Sequence, residues 1–427
     1  MSVKDVIPGY NAVVLPYHLV QTELSGLKNR WPAKKLRVIG VTGTNGKTTT
    51  CFMIWKMLNE AGLKTGLVTT VAWGVDEIHK QIEHMTTPKV STLNKRIREI
   101  QKSGAEFLVL EVTSHALAQY RTLGIPIEIA VMTNVTHEHL DYHKTFERYV
   151  KAKTKLFKHA KFGVINLDDP SWKEFKNAIS PDGDSRKYNT YSIESHADLE
   201  AVKISLSPEG VRYKARSEGN STLEIRTRIP GKFNVYNSLA AVAVGRKLGL
   251  SSEQIEKGIY ALEEVEGRMN RIDEGQDFDV IVDFAHTPDA FQKVYDSVYP
   301  HKGRIISLFG GAGRRDESTR AERGEIAGKY SDLCIITEDD SRDEDPAKIA
   351  KMFEDGCKKA GLKDDQIIIE LDRETAIKRA LEEARKGDLV LILGKGHEKT
   401  ILRADGPHAF EDLEVTKRIL QNLIKPQ

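Results

Sequence analysis

Cysteine is scarce in this 427-residue chain: Cys51, Cys334 and Cys357 are the whole complement, and they form no CxxC pair. Three cysteines cannot all be bridged and cannot build a zinc ribbon, which suits a reducing compartment. Long apolar runs are missing as well, so no stretch spans a bilayer, and the N-terminus lacks the basic region, apolar core and cleavage site of an export signal. Charge of one sign is not in excess, since 64 Lys and Arg stand against 62 Asp and Glu for a net +2. That balance argues for neither nucleic acid nor an anionic membrane as a partner, and any anion must be held locally. Low-complexity segments and short-period repeats are absent. What remains is an ordinary globular chain, 40% hydrophobic and 30% charged, long enough for two or three domains and expected in the cytoplasm.

The stretch VIGVTGTNGKTTT, residues 38–50, is an apolar strand that runs through a glycine-rich turn into the helical CFMIWKMLNEAG. Such a turn aims backbone N–H groups and a helix N-terminus at one point, with Lys47 able to reach outer phosphates and Thr48 able to hold magnesium. It predicts a nucleoside triphosphate site made by Gly43, Thr44, Asn45, Gly46, Lys47, Thr48 and Thr49. A glycine-rich turn that holds nothing is disfavoured, because the flanking strand and helix are both present. The match is imperfect: Val41 stands five residues before Gly46, and the extra glycine, Gly40, comes one place earlier.

Ahead of the loop, Tyr17, Val20, Leu24, Leu27 and Trp31 recur at helical spacing, and this stripe is expected to pack on the central sheet. A membrane-surface helix is the weaker reading, because Glu23 accompanies Lys28 and Arg30 on the polar face. From Leu36 to about Asn166 the apolar runs LRVIGVTG, TGLVTTVAWGV, EFLVLEV, IEIAVMTNV and FGVINL alternate with helical patterns. Runs apolar at consecutive residues predict strands covered on both faces, hence a parallel α/β sheet with ligands at its C-terminal strand ends. Alternation between about Ser185 and Pro230 predicts a small antiparallel sheet. After Gly267, DFDVIVDFA, GRIISLFGGAG, SDLCIITED, QIIIELD and GDLVLILGKG suffice for a second, doubly wound domain. The expected units are 1–35, 36–266 and 267–427.

Three places carry chemistry. The strand Phe107–Leu110 ends in Glu111, and a carboxylate at that end beside a phosphate loop is placed to ligate magnesium; the alternative is a solvated glutamate. The segment NVTHEHLDYH, residues 134–143, is dense in metal-capable side chains but fits no zinc motif, so His139 is read as a ligand or phosphate contact and the other histidines as its support. In TFERYVKAKTKLFKHA, the residues Phe146, Tyr149, Val150, Leu156 and Phe157 define an apolar stripe with Lys153 in its middle, while Lys151, Lys155 and Lys158 point elsewhere. Burial disfavours the charged amine, and a neutral amine can take up carbon dioxide as a carbamate. Snorkelling outward or pairing with an acid such as Glu111 are the alternatives.

Taken together, GVTGTNGKTTT, Thr86-Thr87-Pro88, EVTSHALAQYR, NVTHEHLDYH with Lys153 ten residues on, GKFNVYN, VEGRMNRID, VDFAHTPDA and GKGHE resemble the Mur ligases from about Leu36 to the C-terminus. Within that family the resemblance is to the branch that adds the third residue of the peptidoglycan stem peptide. It implies that ATP phosphorylates the carboxylate of a UDP-muramoyl dipeptide and that the amine of an incoming amino acid attacks the acyl phosphate. It implies magnesium held by Thr48, Glu111, His139 and carbamylated Lys153, with Lys47, His139 and Lys153 catalytic. Asn234, Asn237 and His286 would frame the adenine and Arg268 would approach the phosphates; without the family, the two asparagines read as helix caps and His286 as a core histidine. Thr86, Thr87, Thr113, Gln119 and Arg121 would hold the acceptor. Arg315, Asp339, Asp340, Ser341, Arg342, Gly394 and Glu398 would meet the amino acid.

The resemblance has departures. A DNPR-like motif accompanies diaminopimelate in this family; here Asp340 and Ser341 replace its Asn and Pro, but Arg342 remains. An arginine kept for a second carboxylate discriminates by about 1.5 to 3 kcal/mol, which favours meso-diaminopimelate, whereas the negative charge added by Asp340 would suit a basic amino acid such as L-lysine. The family's GDRD has become Gly313-Arg314-Arg315-Asp316, and its KRP has become Thr319-Arg320-Ala321. Only some 35 residues precede the first strand where relatives carry a domain that grips uridine nucleotide, so an acceptor without UDP stays open. Competing readings are a folylpolyglutamate-synthase-like ligase, the ligase-like subunit of an amidotransferase, whose cysteine cluster is missing here, and a nucleotide-binding protein without ligation chemistry. Small-molecule substrates and a monomer are expected.

Overall fold

A computed structural model describes residues 10–81, 85–217, 221–315 and 317–424, with 10–16 and Asp141 in backbone only. Asp316 of the GRRD run lies outside the described residues. Among them, the larger sheet has eleven strands. Its middle is parallel: Tyr188–Ser192, Phe162–Asn166, Ile127–Met132, Arg37–Thr42, Phe107–Glu111 and Thr65–Val68 lie side by side in that order. Phe107–Glu111 and Phe162–Asn166 are buried at every residue, which is why they read as unbroken apolar runs. Helices Lys47–Glu60 and Lys232–Lys247 cover one face, and Val90–Lys102 and Phe146–Lys158 the other.

Two predicted elements form differently. TGLVTTVAWGV is not one strand but a hairpin of Thr65–Val68 and Ala72–Gly74, turned where the Thr69 hydroxyl accepts the Val71 and Ala72 amides. The antiparallel strands Leu199–Ser207, Gly210–Ser217 and Thr222–Thr227 do form, as an extension of the large sheet through Tyr188–Ser192. The second sheet sets Asp279–Asp283, Leu389–Leu393, Ile305–Phe309, Leu333–Ile336 and Ile367–Ile369 in parallel, with Asn270–Arg271 antiparallel on its edge. Helices Pro288–Val298, Ser318–Tyr330 and Pro346–Lys359 cover one face, and Arg373–Glu383 and Asp412–Ile424 the other.

The helix Tyr10–Lys28 corrects an expectation. It packs with its small and polar side inward: Thr22 is buried and donates to the carbonyl of Tyr120, Ser25 donates to that of Val90, and Gly26 lies under the Trp31 ring. A Cβ on Gly26 would meet that ring at 2.5 Å, so the close approach requires glycine. Tyr17, Val20, Leu24 and Leu27 therefore face solvent at 59, 56, 62 and 65% exposure instead of packing on the sheet. Burial of each would contribute about 1.5 to 3 kcal/mol, a gain the fold leaves unrealised.

Candidate active site

The strand Arg37–Thr42 delivers the phosphate loop between its neighbours Ile127–Met132 and Phe107–Glu111. The loop is braced from the next strand end: Thr44 N–H donates to the Asn134 carbonyl at 2.7 Å, Asn45 N–H to the Asn134 side chain at 3.0 Å, and Thr133 donates to the Asn45 carbonyl. Gly46 caps the helix Lys47–Glu60 at φ +82°, and a Cβ there would meet the Asn237 amide oxygen at 2.3 Å. Lys47 folds back to the Thr44 carbonyl at 2.6 Å. Thr48 and Thr49 are buried in the first turn, and the Thr48 hydroxyl donates to both oxygens of Glu111 at 3.0 to 3.1 Å. Glu111 is thus no solvated strand end; it also accepts from the amide and hydroxyl of Thr70.

Lys153 is 1% exposed. Its side-chain nitrogen donates to the Gly43 carbonyl at 2.5 Å and lies 4.4 Å from the Tyr149 ring centroid, so it neither snorkels out nor pairs with Glu111. Burial, with Lys47 nearby, holds its pKa well below the ordinary lysine range. His139 stands 3.5 Å from the Glu138 carboxylate. The same carboxylate lies 3.5 Å from His286 of the second domain and accepts from the Tyr149 hydroxyl at 3.4 Å. His143 contacts the buried Ser114 hydroxyl at 3.0 Å. His137 gives His139 no support; it is exposed and stacked on Phe146.

The predicted acceptor residues form one cluster beside Glu111. Thr87 donates to the Glu111 carbonyl at 3.0 Å and accepts the Thr113 amide at 3.1 Å. Arg121 donates to the Thr87 carbonyl at 2.7 Å and to Gln119 at 3.0 Å, and Thr113 caps the helix Ser114–Ala118. Thr86 is half-buried next to Thr87. On the loop's other side, Asn237 accepts from the Thr50 hydroxyl at 3.3 Å and donates to Asn234 at 2.9 Å. Neither asparagine caps its helix, whose N-cap is Gly231; Asn234 is fully buried behind Asn237 and donates to the Pro230 carbonyl. His286 is no core histidine either, with its side chain 41% exposed.

Three contacts bring the second domain onto the loop. Asn45 donates to Asp289 at 2.6 Å, Arg268 to the Thr48 hydroxyl at 3.4 Å, and His286 faces Glu138. At the C-terminal strand ends of that domain, Lys395 is fully buried and reaches Glu398 at 2.7 Å, Asp340 at 2.8 Å and Asp339 at 3.3 Å. These three carboxylates have a metal-like spacing, but the Lys395 ammonium already sits among them and offsets part of their charge. Burial works against that ammonium, yet Asp339, Glu398 and Asp340 raise its pKa above the ordinary range. Gly394 at φ +115° lets the loop pass Asp339, and Ser341 donates to Glu338 at 2.6 Å. Arg342 is anchored on the Gly313 carbonyl at 2.7 Å. The departures from the family motifs are accommodated: Arg314 pairs with Asp343, while buried Arg320 donates to Glu344 and the Ala312 carbonyl.

Sequence reasoning missed Lys395, Glu138, Thr70 and Ser114. Lys395 had a local signal, a lysine between two glycines three residues before Glu398. Thr70 had none, because only the turn of the hairpin aims it at Glu111.

These features define a class: a phosphate-loop domain whose nucleotide loop is met from outside by a second, doubly wound domain with its own polar cluster. Residues 41–245 match the Mur ligase middle domain, and residues 267–396 match the Mur ligase glutamate ligase domain. The chain is 38% identical over 396 residues to UDP-N-acetylmuramoyl-L-alanyl-D-glutamate--2,6-diaminopimelate ligase 1 of Clostridium acetobutylicum, covering 92% of this chain and 80% of that one. It is 37% identical over 410 residues to the UDP-N-acetylmuramyl-tripeptide synthetase of Roseiflexus, with the same coverage. A solved diaminopimelate ligase of the first type superimposes with a TM-score of 0.64 at 30% identity, over 92% of this chain and 79% of that one. The folylpolyglutamate synthase of Mycobacterium tuberculosis shares the fold, with a TM-score of 0.74 at 16% identity over 89% of this chain and 92% of that one. The chain belongs to the Mur ligase family.

Proposed function

We propose that the protein is an ATP-dependent ligase that adds a diamino acid, meso-diaminopimelate in preference to L-lysine, to UDP-N-acetylmuramoyl-L-alanyl-D-glutamate in peptidoglycan synthesis. One observation carries the reading: the His115 ring stands edge-on to His139 of the NVTHEHLDYH segment at 4.7 Å and 4.3 Å from the Tyr142 ring, whose hydroxyl accepts from Gln119 of the acceptor cluster at 3.4 Å. The predicted metal and acceptor residues therefore face a common point. The names of the relatives at 37 to 38% identity support the same reaction. Residues 36–266 are taken as the ATP-binding domain and 267–427 as the domain that presents the amino acid. The protein is taken to work as a monomer on small molecules in the cytoplasm.

A carboxylate is inert to amines until one oxygen becomes a leaving group; ATP supplies a phosphoryl group for that oxygen, and attack by the amine then releases phosphate. The chain must bring anions together. Lys47 and Arg268 lie at the phosphate loop, and Arg121 would meet the acceptor's carboxylate. Arg315 and Arg342 suit the carboxylates of the incoming amino acid, while Lys395 holds Asp339, Asp340 and Glu398 in position. Neutral Lys153 can take up carbon dioxide and lose a proton, exchanging an uncharged amine for an anionic carbamate. With Thr48, Glu111 and His139 this makes a hard, mainly oxygen donor set suited to magnesium, which when bound draws negative charge from the transferring phosphoryl group.

The test is ADP release with UDP-N-acetylmuramoyl-L-alanyl-D-glutamate and either meso-diaminopimelate or L-lysine. Faster turnover with diaminopimelate is expected. Arg342→Ala should raise KM for diaminopimelate roughly ten- to a hundredfold more than for lysine, the loss of one charged hydrogen bond. No turnover with either amino acid, in protein that still binds ATP, would refute the acceptor assignment.

A further inference from the structure

The outward side of the helix Tyr10–Lys28 is the largest feature that the ligase reading leaves unused. Its inward side is committed through Thr22, Ser25 and Gly26, which leaves Tyr17, Val20, Leu24 and Leu27 as a continuous exposed stripe. The helix carries no charged residue from Tyr10 to Thr22. Its charge gathers at the other end, where Lys28, Arg30, Lys34 and Lys35 are all exposed and none forms an ion pair among the described residues. Glu23 argued against a membrane helix when only the helix was counted. The 3-10 turn Pro32–Lys35 changes the balance, because it adds two exposed lysines beside the helix end and sets four cations against one acid.

An apolar stripe with an adjoining unpaired basic cluster is complementary to a surface that is apolar within and anionic at its edge. A second copy of the chain would bring apolar stripe to stripe but would leave both basic clusters without a counter-charge. A stable protein interface also takes roughly 20 to 30 residues a side, well beyond this stripe. We propose that the outward face of the helix Tyr10–Lys28, with Lys28, Arg30, Lys34 and Lys35, docks the protein on an anionic lipid surface. The helix lies in the interface rather than across it, and no helix among the described residues is long and apolar enough to cross a membrane. Thr22 holds the Tyr120 carbonyl on the inward side, so the docked helix is tied to the chain one residue from Arg121, which the ligase reading gives to the acceptor.

The full chain is floated with vesicles of phosphatidylcholine alone or with about a third phosphatidylglycerol, at about 0.1 M and about 1 M salt. Binding to the anionic vesicles alone, released at high salt, is expected. Lys34→Gln/Lys35→Gln should weaken partitioning roughly twenty-five-fold, two basic contacts at about fivefold each. Leu24→Glu should abolish binding while turnover with soluble substrates stays unchanged. The proposal is overturned by no flotation, by equal binding to neutral vesicles, or by a Leu24→Glu variant that binds as the parent does. It is also overturned if sedimentation shows a dimer that Leu24→Glu splits without any vesicle binding, which would make the stripe an interface between copies. Because flotation reads partitioning and not chemistry, its outcome is independent of the ligase reading.

Discussion

Lys153 sits among lysines that all reach toward water, Lys151 and Lys158 fully and Lys155 in part, and it alone is buried. Helical spacing predicted its inward direction, but not the Gly43 carbonyl that receives it. Lys153→Ala should lower ligation at least about a hundredfold, the scale of losing one preorganised electrostatic group, and added bicarbonate should not restore it. Wild-type ADP release from that variant would end the carbamate role. His115 makes a second residue-scale prediction. Burial, then His139, His143, Arg121 and Arg315, push its pKa down to about 2. Above about pH 6.5 the folded and unfolded chains both hold it neutral; below that, only the unfolded chain takes the proton, so stability is lost as pH falls. One unit below, the cost is about 1.4 kcal/mol. His139 and His397 shift in the same direction, so His115→Phe should remove part of the acid slope in urea unfolding between about pH 7 and about pH 5.5. An unchanged slope would contradict the buried, neutral state of His115.

At the scale of elements, the turn before the helix Lys47–Glu60 depends on Gly46. An alanine there meets both a left-handed backbone penalty of about 1 to 2 kcal/mol and the Asn237 amide. Gly46→Ala is expected to weaken ATP binding at least about tenfold by calorimetry, with a small fall in melting temperature; unaltered affinity would mean the loop need not keep this shape. Strand ends were legible, since a run buried on both faces must be apolar until it meets the site, as Phe107–Glu111 does. Helix faces were legible only in part. Periodicity found the stripe of Tyr17, Val20, Leu24 and Leu27, but spacing cannot say whether an apolar face meets the protein or something outside it, and here Gly26 and Thr22 occupy the contact.

At the scale of the molecule, the two sheets meet across the phosphate loop. Asn45 to Asp289, Arg268 to Thr48, His286 to Glu138, and Glu266 between Lys80 and Lys399 are polar bridges between them. Phe233 adds an apolar contact on the core of the second domain, and the polar bridges are of the kind that domains exchange when they move to enclose substrates. Solution scattering should show a smaller radius of gyration with an ATP analogue and acceptor than without, and Asp289→Ala should enlarge it in the free protein. Identical radii in all three states would rule out closure. The sequence by itself determined the phosphate loop, the alternation of strands and helices, the family motifs in their order and the inward Lys153. All of these are written in residues a few places apart, where periodicity and turn chemistry act. Only the tertiary structure decided that Lys395 sits among Asp339, Asp340 and Glu398, that Asn234 stands behind Asn237, that His137 leaves the site, and that the first helix turns its apolar side outward. Those outcomes depend on which distant segments compete for the same space, and that competition exists only once the chain has folded.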